Sequence, residues 1–496
     1  MKTVKIVALG LTAGLLLAVG NAGAADFPLK AKAVEYVKVC SLYGAGFYYI
    51  PGTDSCIKLG GYLRVDVLAN SNAVDTGNES GPGGANNRFT NAYTWRSRED
   101  LNIDTRTATE YGVVRTYWDS TFTWTSGSYS ESGGLGHTTY SGDGVAGGSL
   151  GVYYAFIQFA GFTIGKAVSE FSTPWHNYPG NNFDGLVGGG GADTGVNQFT
   201  YTAEFGQGIS AAISVQDPTA YYQAGVNNLA VPGTFGYGTS DYGGTSVPDI
   251  VARLRVDQAW GLFQASAAAH NNHAAYYGGG GESSGHPADA WGWAGQLGLS
   301  IKNIPTGPGD KINVEAVYTN GATRYNIQDL ATAAGAATVY GHSSIAYQSV
   351  GFGFAPDTVF GLGGSQQLVQ TWGMRGAYTH NWNPVWDSSI YGAYAAISYT
   401  DTAKSLMCGG GGTVLVRLSA GSTCNPDYSI AEIGFITRWT PVKNLVFSAD
   451  FTWIHLDQKY AGFFDAGSTA LGQPATNYEL RNQDTFLVLL RAQRNW

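Results

Sequence analysis

Residues 151–206 read GVYYAFIQFAGFTIGKAVSEFSTPWHNYPGNNFDGLVGGGGADTGVNQFTYTAEFG. Two extended segments, at 153–159 and 162–167, meet at the Ala160–Gly161 turn, and a new extended segment begins at Val196. Between them lies an irregular insert, at about 168–196, which is rich in glycine and also contains proline and acidic residues. A long loop without secondary structure is uncommon inside a domain unless the loop has a function. We therefore expect this insert to fold back into the lumen of a β-barrel and to narrow it.

Other segments of the chain alternate apolar and polar residues with a period of two. In the first, Leu59, Leu63 and Val67 share one face, and Arg64 and Asp66 share the other. The same alternation recurs at about 96–106, 114–122, 431–439, 445–453 and 486–496. Runs of this length and period predict long β-strands with one apolar and one polar face. Ionised residues would each cost several kcal/mol in a packed core, so we expect the polar face to border water.

The connections between these segments alternate between short and long. Tight turns are expected at 107–108, 160–161, 206–208, 259 and 441–444. Long loops are expected at about 69–90, 126–149, 168–196, 218–249, 270–290, 320–367, 400–428 and 458–482. Short turns on one rim and long loops on the other are typical of outer-membrane barrels, whose strand number is even, and we count about sixteen strands.

Two soluble all-β architectures are the alternatives. A β-sandwich would have shorter strands, and a propeller would show a repeat of about 40–50 residues, which the sequence lacks. The residues that we assign outward in the first runs, such as Leu101 and Ile103, are uncharged, as a lipid-facing surface requires. The sequence therefore predicts an all-β fold, a transmembrane antiparallel β-barrel with short periplasmic turns, long external loops and the third loop folded into the pore.

The N-terminus has the features of a secretory signal peptide at residues 1–24. Lys2 and Lys5 precede an apolar run at 6–19, which is too short to span a bilayer, and Ala22-Gly23-Ala24 is a small-x-small cleavage pattern. An uncleaved signal anchor is the alternative. We divide the rest of the chain into an N-terminal leader at 25–56 and the transmembrane barrel at 57–496, with the constriction loop at about 168–196.

The charge balance argues against nucleic-acid binding. Of 27 Lys and Arg residues two lie in the signal peptide, so the mature chain has 25 basic and 36 acidic residues, a net charge of −11. Phosphate contact needs a basic excess. The total charge suggests a weak preference for cations. The glycine runs lack the Lys-Ser/Thr of a phosphate loop, and we find no motif for a metal site or a catalytic nucleophile. We expect no cofactor, no metal and no enzymatic activity.

The four cysteines fall into two close pairs, Cys40/Cys56 and Cys408/Cys424. An even, paired count in an exported chain suggests disulfides. Each would close a loop of about 15 residues and contribute about 3 kcal/mol to stability. A zinc site built from all four thiolates is the rival interpretation, but CxxC spacing is absent.

Several motifs resemble those of the alphaproteobacterial general porins. They are VEYVKVC at 34–40, YGAGFYYIPGTDSC at 43–56, GGYLR at 60–64, RTATEYG at 106–112 and QRN at 493–495. The resemblance implies a sixteen-stranded barrel that assembles as a homotrimer in the outer membrane of a Gram-negative bacterium, with the third external loop folded into each pore. We accordingly expect contact with outer-membrane lipid, lipopolysaccharide and the barrel-assembly machinery. The chain ends in Trp496 where such porins usually end in Phe, so an aromatic C-terminal assembly signal is kept.

Charges of opposite sign are expected to meet at the constriction. Arg64, Arg96, Arg98 and Arg115 point inward from the first three strands and would form a basic wall. Glu170, Asp184 and Asp193 on the third loop would face it. Opposed charges across a narrow aqueous gap create a transverse field that favours small polar solutes. The alternative is that the arginines simply pair with carboxylates on neighbouring strands.

The function expected from these features is passive diffusion of small hydrophilic solutes and ions through a water-filled channel. A substrate-specific channel is one alternative, in which Trp175, Tyr178 and Phe183 on the third loop would guide a sugar. A barrel-scaffold enzyme or adhesin is another, for which the large loops at 320–367 and 400–428 are the only indication.

Overall fold

The structure, a computed structural model, describes residues 38–71, 93–126, 149–191, 194–231, 238–278, 281–328, 337–340, 348–409, 418–465 and 474–496. Sixteen long antiparallel strands of these residues form one sheet, and the first pairs with the last, so the sheet closes into a barrel. In chain order, β1–β16 are Ser55–Asn70, Thr94–Thr109, Gly112–Ser126, Ser149–Phe159, Phe162–Ala167, Val196–Gly206, Ile209–Gln216, Asp249–Gln258, Gly261–Asn272, Ala290–Lys302, Lys311–Asn320, Gln370–Asn383, Trp386–Ser398, Tyr428–Val442, Leu445–Gln458 and Gln483–Asn495. The predicted all-β barrel is confirmed.

Residues on the two faces of the barrel wall differ as the alternation predicts. Leu63 is 51% exposed on the outer face of β1, whereas Asp66 is fully buried on the inner face. Exposed tryptophans form two bands on the outer face: Trp291, Trp293 and Trp372 near the long-loop rim, and Trp382, Trp386 and Trp439 near the short-turn rim. Aromatic girdles of this kind flank the apolar band of a transmembrane barrel.

The backbone of the tight turns adopts positive φ. Ala160 and Gly161 have φ values of 48° and 85°, the conformation of a two-residue hairpin turn whose twist matches that of its strands. The turn expected at 107–108 instead lies at 110–111, because β2 and β3 stay paired as far as Thr109 and Gly112. There, the Thr109 hydroxyl donates to the Gly112 carbonyl at 2.6 Å and holds the turn.

Shorter elements decorate the barrel. Tyr48–Tyr49 pairs with β1. Two four-stranded sheets combine segments of different loops: Thr239–Ser240, Val226–Asn228, Thr358–Phe360 and Gln367–Leu368 form one, and Ala337–Tyr340, Ser349–Gly353, Asn477–Leu480 and Phe463–Asp465 form the other. The helical segments within the described residues are the 3-10 turns Ser41–Tyr43, Gly281–Ser284 and Thr323–Tyr325 and the helix α1, Asp401–Cys408. In the described part of the chain, no helix has both the length and the apolar content needed to cross a bilayer.

The inner wall is not polar along every strand, as the alternation had suggested. On β13–β15 the inward residues Ile397, Ile430 and Ile454 are almost completely buried. They pack in one apolar cluster with residues of the loops at 321–369, 399–427 and 459–482, including Phe354 and Met407. The long loops therefore cover this side of the lumen from the external rim, and only part of the wall is left to border water.

Both cysteine pairs form disulfides in the structure. Cys40–Cys56 ties the segment before the barrel to the start of β1, and Cys408–Cys424 ties the end of α1 to the rest of its loop. At the other end of the chain, the backbone N–H of Trp496 donates to the Gly61 carbonyl at 3.1 Å. The last residue is thus joined to the first barrel strand.

Candidate functional site

The loop between β5 and β6, described at residues 168–191 and 194–195, lies inside the barrel; we call it L3. Inward side chains of several strands hydrogen-bond its backbone, among them Gln264 on β9, Gln296 on β10, Asn313 on β11, Arg375 on β12, Arg438 on β14 and Asp450 on β15. These strands all lie within β9–β15, on one side of the barrel, so L3 lies against that side of the lumen and narrows it. The predicted folding of the third loop into the pore is confirmed.

Arg375 is the central anchor of L3. Its guanidinium donates to the His176 carbonyl at 2.7 Å, to the Leu186 carbonyl at 2.8 Å and to Asn177 Oδ1 at 2.9 Å. It also forms an ion pair with Glu315 of the neighbouring strand, and both side chains are completely buried. Since a buried charge must be paired and fully hydrogen-bonded, this arrangement fixes two separate segments of the loop, at 176–177 and at 186, to one residue.

Asp184 joins L3 to the opposite wall. Arg96 Nη1 lies 3.2 Å from Asp184 Oδ2, while Arg96 Nη2 lies 2.6 Å from Asp66 Oδ2. Arg491 completes the group, with its Nε 2.7 Å from Asp66 Oδ1. Two arginines and two aspartates therefore form a balanced network, and two of the residues predicted for the constriction, Arg96 and Asp184, contact each other directly.

The pKa of Asp184 reflects this network. Burial by itself would raise the pKa of the carboxyl, but the charges of Arg96 and Arg491 and the hydrogen bond from Tyr178 outweigh burial and hold the pKa well below its usual range. Asp184 is consequently ionised at neutral pH, and its negative charge is balanced by the arginines of the network.

Arg64 and Arg98 lie side by side on the same wall. They are direct partners in the β1–β2 ladder, and both are partly exposed. Arg64 Nε donates to Gln493 Oε1 at 2.8 Å, and Arg98 Nε donates to Thr123 Oγ1 at 3.0 Å. In contrast to Arg96, these two arginines therefore donate to neutral acceptors.

Arg115 pairs with a carboxylate of its own wall rather than with L3. Its Nη2 lies 3.0 Å from Asp104 Oδ2, and Arg106 shares the same carboxylate at 2.9 Å. For this residue the structure follows the alternative interpretation, in which wall arginines pair with neighbouring strands. Its guanidinium remains partly exposed, so it still lines the aqueous passage.

Glu170 does not face the basic wall. Its carboxylate lies 2.7 Å from Arg253 Nη1 on β8, and burial raises its pKa while the charge of Arg253 opposes that rise. The difference arises because L3 enters the lumen along β7–β9 before it crosses toward β2. Asp193, the third predicted acid, lies outside the described residues.

The aromatic residues of L3 do not form a track for a sugar. Phe183 is only 1% exposed and packs in the apolar cluster. Trp175 packs against Gly298 of the wall, and the Tyr178 hydroxyl donates to Asp184 at 2.8 Å. The three rings thus have separate structural contacts.

A buried aromatic stack links L3 to two other loops. Phe171 of L3 contacts Tyr325 with ring centroids 4.6 Å apart, and Tyr325 stacks on Tyr222 at 4.2 Å. Tyr325 also donates to Asp249, which pairs with His270 at 2.7 Å. Sequence reasoning missed this stack, because residues 171, 222 and 325 belong to irregular loops without a periodic pattern.

Comparison with known proteins agrees with this architecture. A family model described as Porin subfamily matches residues 26–489. The chain is 32% identical over 261 residues to "Porin Omp2b" of Brucella suis biovar 1, which covers 52% of this chain and 63% of the relative. It is 33% identical over the same length and coverage to "Porin Omp2b" of Brucella canis. The match therefore spans less than two thirds of the relatives' length.

Among solved structures, the outer membrane channel DcaP of Acinetobacter baumannii has the same fold. The TM-score is 0.55 over 90% of this chain and 99% of that chain, at 16% sequence identity.

Proposed function

The chain belongs to the porin subfamily, and on that basis we propose that it forms an outer-membrane channel for passive diffusion of small hydrophilic solutes and ions. Family membership and the barrel fold place the protein in the outer membrane of a Gram-negative bacterium. The family and the names of its relatives indicate a channel rather than an enzyme. We propose that solutes cross without any reaction being catalysed.

The observation that carries this proposal is the position of L3. It is anchored to β7–β16 and, among the described residues, reaches the β1–β2 wall through the ion pair of Asp184 with Arg96. The partly exposed residues Arg98, Arg115 and Tyr117 therefore line the remaining passage. Such a passage between a fixed loop and a charged wall selects solutes by size and charge. We propose Arg64, Arg96, Arg98, Arg115 and Asp184 as the residues of the constriction.

Planar-bilayer recording of the purified protein tests the channel. Stepwise current increases in potassium chloride are expected as single channels insert. Liposome swelling with sugars of increasing mass then separates the alternatives, since a general channel discriminates by size whereas a substrate-specific one saturates. Absence of current steps from folded, heat-modifiable protein would contradict the proposal.

We also propose that the channel is a homotrimer, and Glu99 supports a protein partner on one side of the barrel. Glu99 lies on the outer face of β2 between Leu63 of β1 and Phe122 of β3, and among the described residues it has no ion pair. It is four residues from Trp95 and four from Ile103, near the middle of the apolar band. A carboxylate facing lipid at this depth is unfavourable, although less so than Arg or Lys. A second copy of the chain on this face would remove Glu99 from lipid.

Outer-membrane lipid and lipopolysaccharide would then cover the remaining outer surface. The barrel-assembly machinery is the proposed partner during insertion, with Trp496 as the C-terminal signal.

A further inference from the structure

Two arginines face each other on the lumen side of β1 and β2 without a carboxylate between them. Arg64 and Arg98 are direct ladder partners, so their Cα atoms are about 4.5–5.5 Å apart. We call residues that pair side by side across adjacent strands a row. The other members of the row of Arg64 and Arg98 are Gln493 on β16 and Thr123 on β3, which are both neutral. Like charges directly opposite each other destabilise a sheet. The pair thus has a positive charge that its own row does not balance.

The adjacent row cannot supply the missing negative charge. It contains Arg491, Asp66 and Arg96, and Asp184 of L3 joins it. Each carboxylate there is already within 3.2 Å of an arginine. This row is balanced, and its anionic groups are engaged.

The row on the other side of Arg64 and Arg98, which contains Asp100, balances only part of their positive charge. Asp100 follows Arg98 on the same face of β2 and interacts with both guanidinium groups, and Asp119 of β3 lies beside Asp100. Over the whole lumen face of β1–β3 there are six cations and four carboxylates: Lys58, Arg64, Arg96, Arg98, Arg106 and Arg115 against Asp66, Asp100, Asp104 and Asp119. This wall of the passage therefore keeps a positive excess even when every carboxyl is ionised.

We propose that Arg64 and Arg98 form an anion site in the bore, which takes the carboxylate or phosphate group of a permeating solute, and that the channel prefers anions to cations. This inference rests on the proposed channel function. Planar guanidinium groups suit the paired oxygens of carboxylates and phosphates. The preference is opposite to the one suggested by the net charge of −11, because an ion in the bore responds to charges within about a Debye length rather than to the distant surface.

The sign of the reversal potential in a potassium chloride gradient tests the preference. The wild-type protein is expected to give a chloride-to-potassium permeability ratio above 1. In the double variant Arg64→Gln with Arg98→Gln, the ratio is expected to fall by about five- to tenfold, because two unit charges a few ångströms from the ion path in water are removed. Lys443→Gln removes a positive charge at a periplasmic turn, outside the bore, and is the control; its ratio should equal that of the wild type.

A second measurement separates a binding site from a general field. Millimolar inorganic phosphate is expected to reduce the chloride current of the wild-type channel. The variant Arg64→Lys with Arg98→Lys keeps both charges but lacks the planar fork. It should keep the permeability ratio and need several times more phosphate for the same reduction.

The outcomes are distinct. If the wild-type protein conducts with a permeability ratio of 1 or below, or if the glutamine variant keeps the wild-type ratio, the anion preference is wrong while the channel proposal stands. If phosphate leaves the wild-type current unchanged, or blocks the lysine variant equally well, the binding site is wrong. If no current appears at all, the channel proposal itself fails. Heat-modifiable migration of each variant in gels checks that the barrel has folded.

Discussion

Removing the Arg375 guanidinium should loosen L3 at two of its attachments to the barrel wall, near residues 176–177 and 186. Arg375→Met keeps most of the side-chain volume but deletes three hydrogen bonds to L3 and leaves Glu315 buried without its cation. Hydrogen bonds from a charged donor contribute about 1.5–3 kcal/mol each, although they are not additive. Breaking a buried ion pair from one side costs about 3–5 kcal/mol. We therefore expect the free energy of unfolding to fall by about 3–5 kcal/mol.

A double variant distinguishes the unpaired charge from the lost loop contacts. Glu315 also accepts a hydrogen bond from Thr173, which a neutral amide can still accept. Adding Glu315→Gln to Arg375→Met should recover about 1–3 kcal/mol, because no carboxylate is then left unpaired. The L3 backbone carbonyls remain without their donor in both variants, so both channels should show noisier current than the wild type.

Urea-induced unfolding in lipid vesicles measures the free energies, and planar-bilayer recording measures the noise. Arg255→Met is the matched control. Arg255 is also an inward arginine, on β8, but its guanidinium donates to the neutral Gln264; we expect a loss of about 1 kcal/mol. The anchoring role of Arg375 is refuted if Arg375→Met unfolds within about 1 kcal/mol of the wild type with unchanged current. It is also refuted if the double variant is as unstable as the sum of Arg375→Met and Glu315→Gln measured separately.

Three further predictions concern other parts of the molecule. The pKa of Asp184 is lowered in the folded state, so its contribution to stability is full above the unfolded pKa of about 3.9 and is lost as pH falls toward the folded pKa. The difference in unfolding free energy between the wild type and Asp184→Asn should therefore shrink between pH 6 and pH 3. A constant difference would argue against an ionised Asp184 in the network. Replacing Cys408 and Cys424 with serine should destabilise their loop by about 3 kcal/mol and speed its cleavage by protease, whereas the same change at Cys40 and Cys56 should leave that loop's cleavage rate unaltered. If Glu99 contacts a second copy of the chain, Glu99→Leu should lower the temperature at which the oligomer dissociates in gels, while Tyr394→Leu, on the outer face of β13, serves as the control; an oligomer of unchanged or greater heat stability would contradict the contact.

Much of the fold can be predicted from the sequence because strand patterns depend on neighbouring residues. Leu63 and Asp66 differ in parity within one strand, and this is enough to place them on opposite faces of the wall. The same parity places Glu99 on the lipid side, since it alternates with Arg98 and Asp100. The expectation that the outward residues of this run are uncharged was therefore wrong at one position. The long insert after β5 likewise marks L3, because its length and composition differ from those of the tight turns.

The partners of the charged residues cannot be predicted from the sequence in this way. Arg96, Arg98 and Arg115 are all inward arginines of neighbouring strands, yet one pairs with L3, one with neutral groups and one with Asp104. Which acid meets which arginine depends on the path of L3 across the lumen. That path is set by contacts with Arg375, Asp450 and other residues more than a hundred positions away along the chain.

The amino-acid sequence by itself determined the barrel and the loop that enters it, because period-two alternation and loop lengths are properties of consecutive residues; the signal peptide predicted at 1–24 lies outside the described residues. Only the tertiary structure decided where the charges balance and where they do not, and that loops fill one side of the lumen. Electrostatic balance depends on distances of a few ångströms between side chains on different strands, and such distances exist only after the sheet has closed and L3 has packed against it.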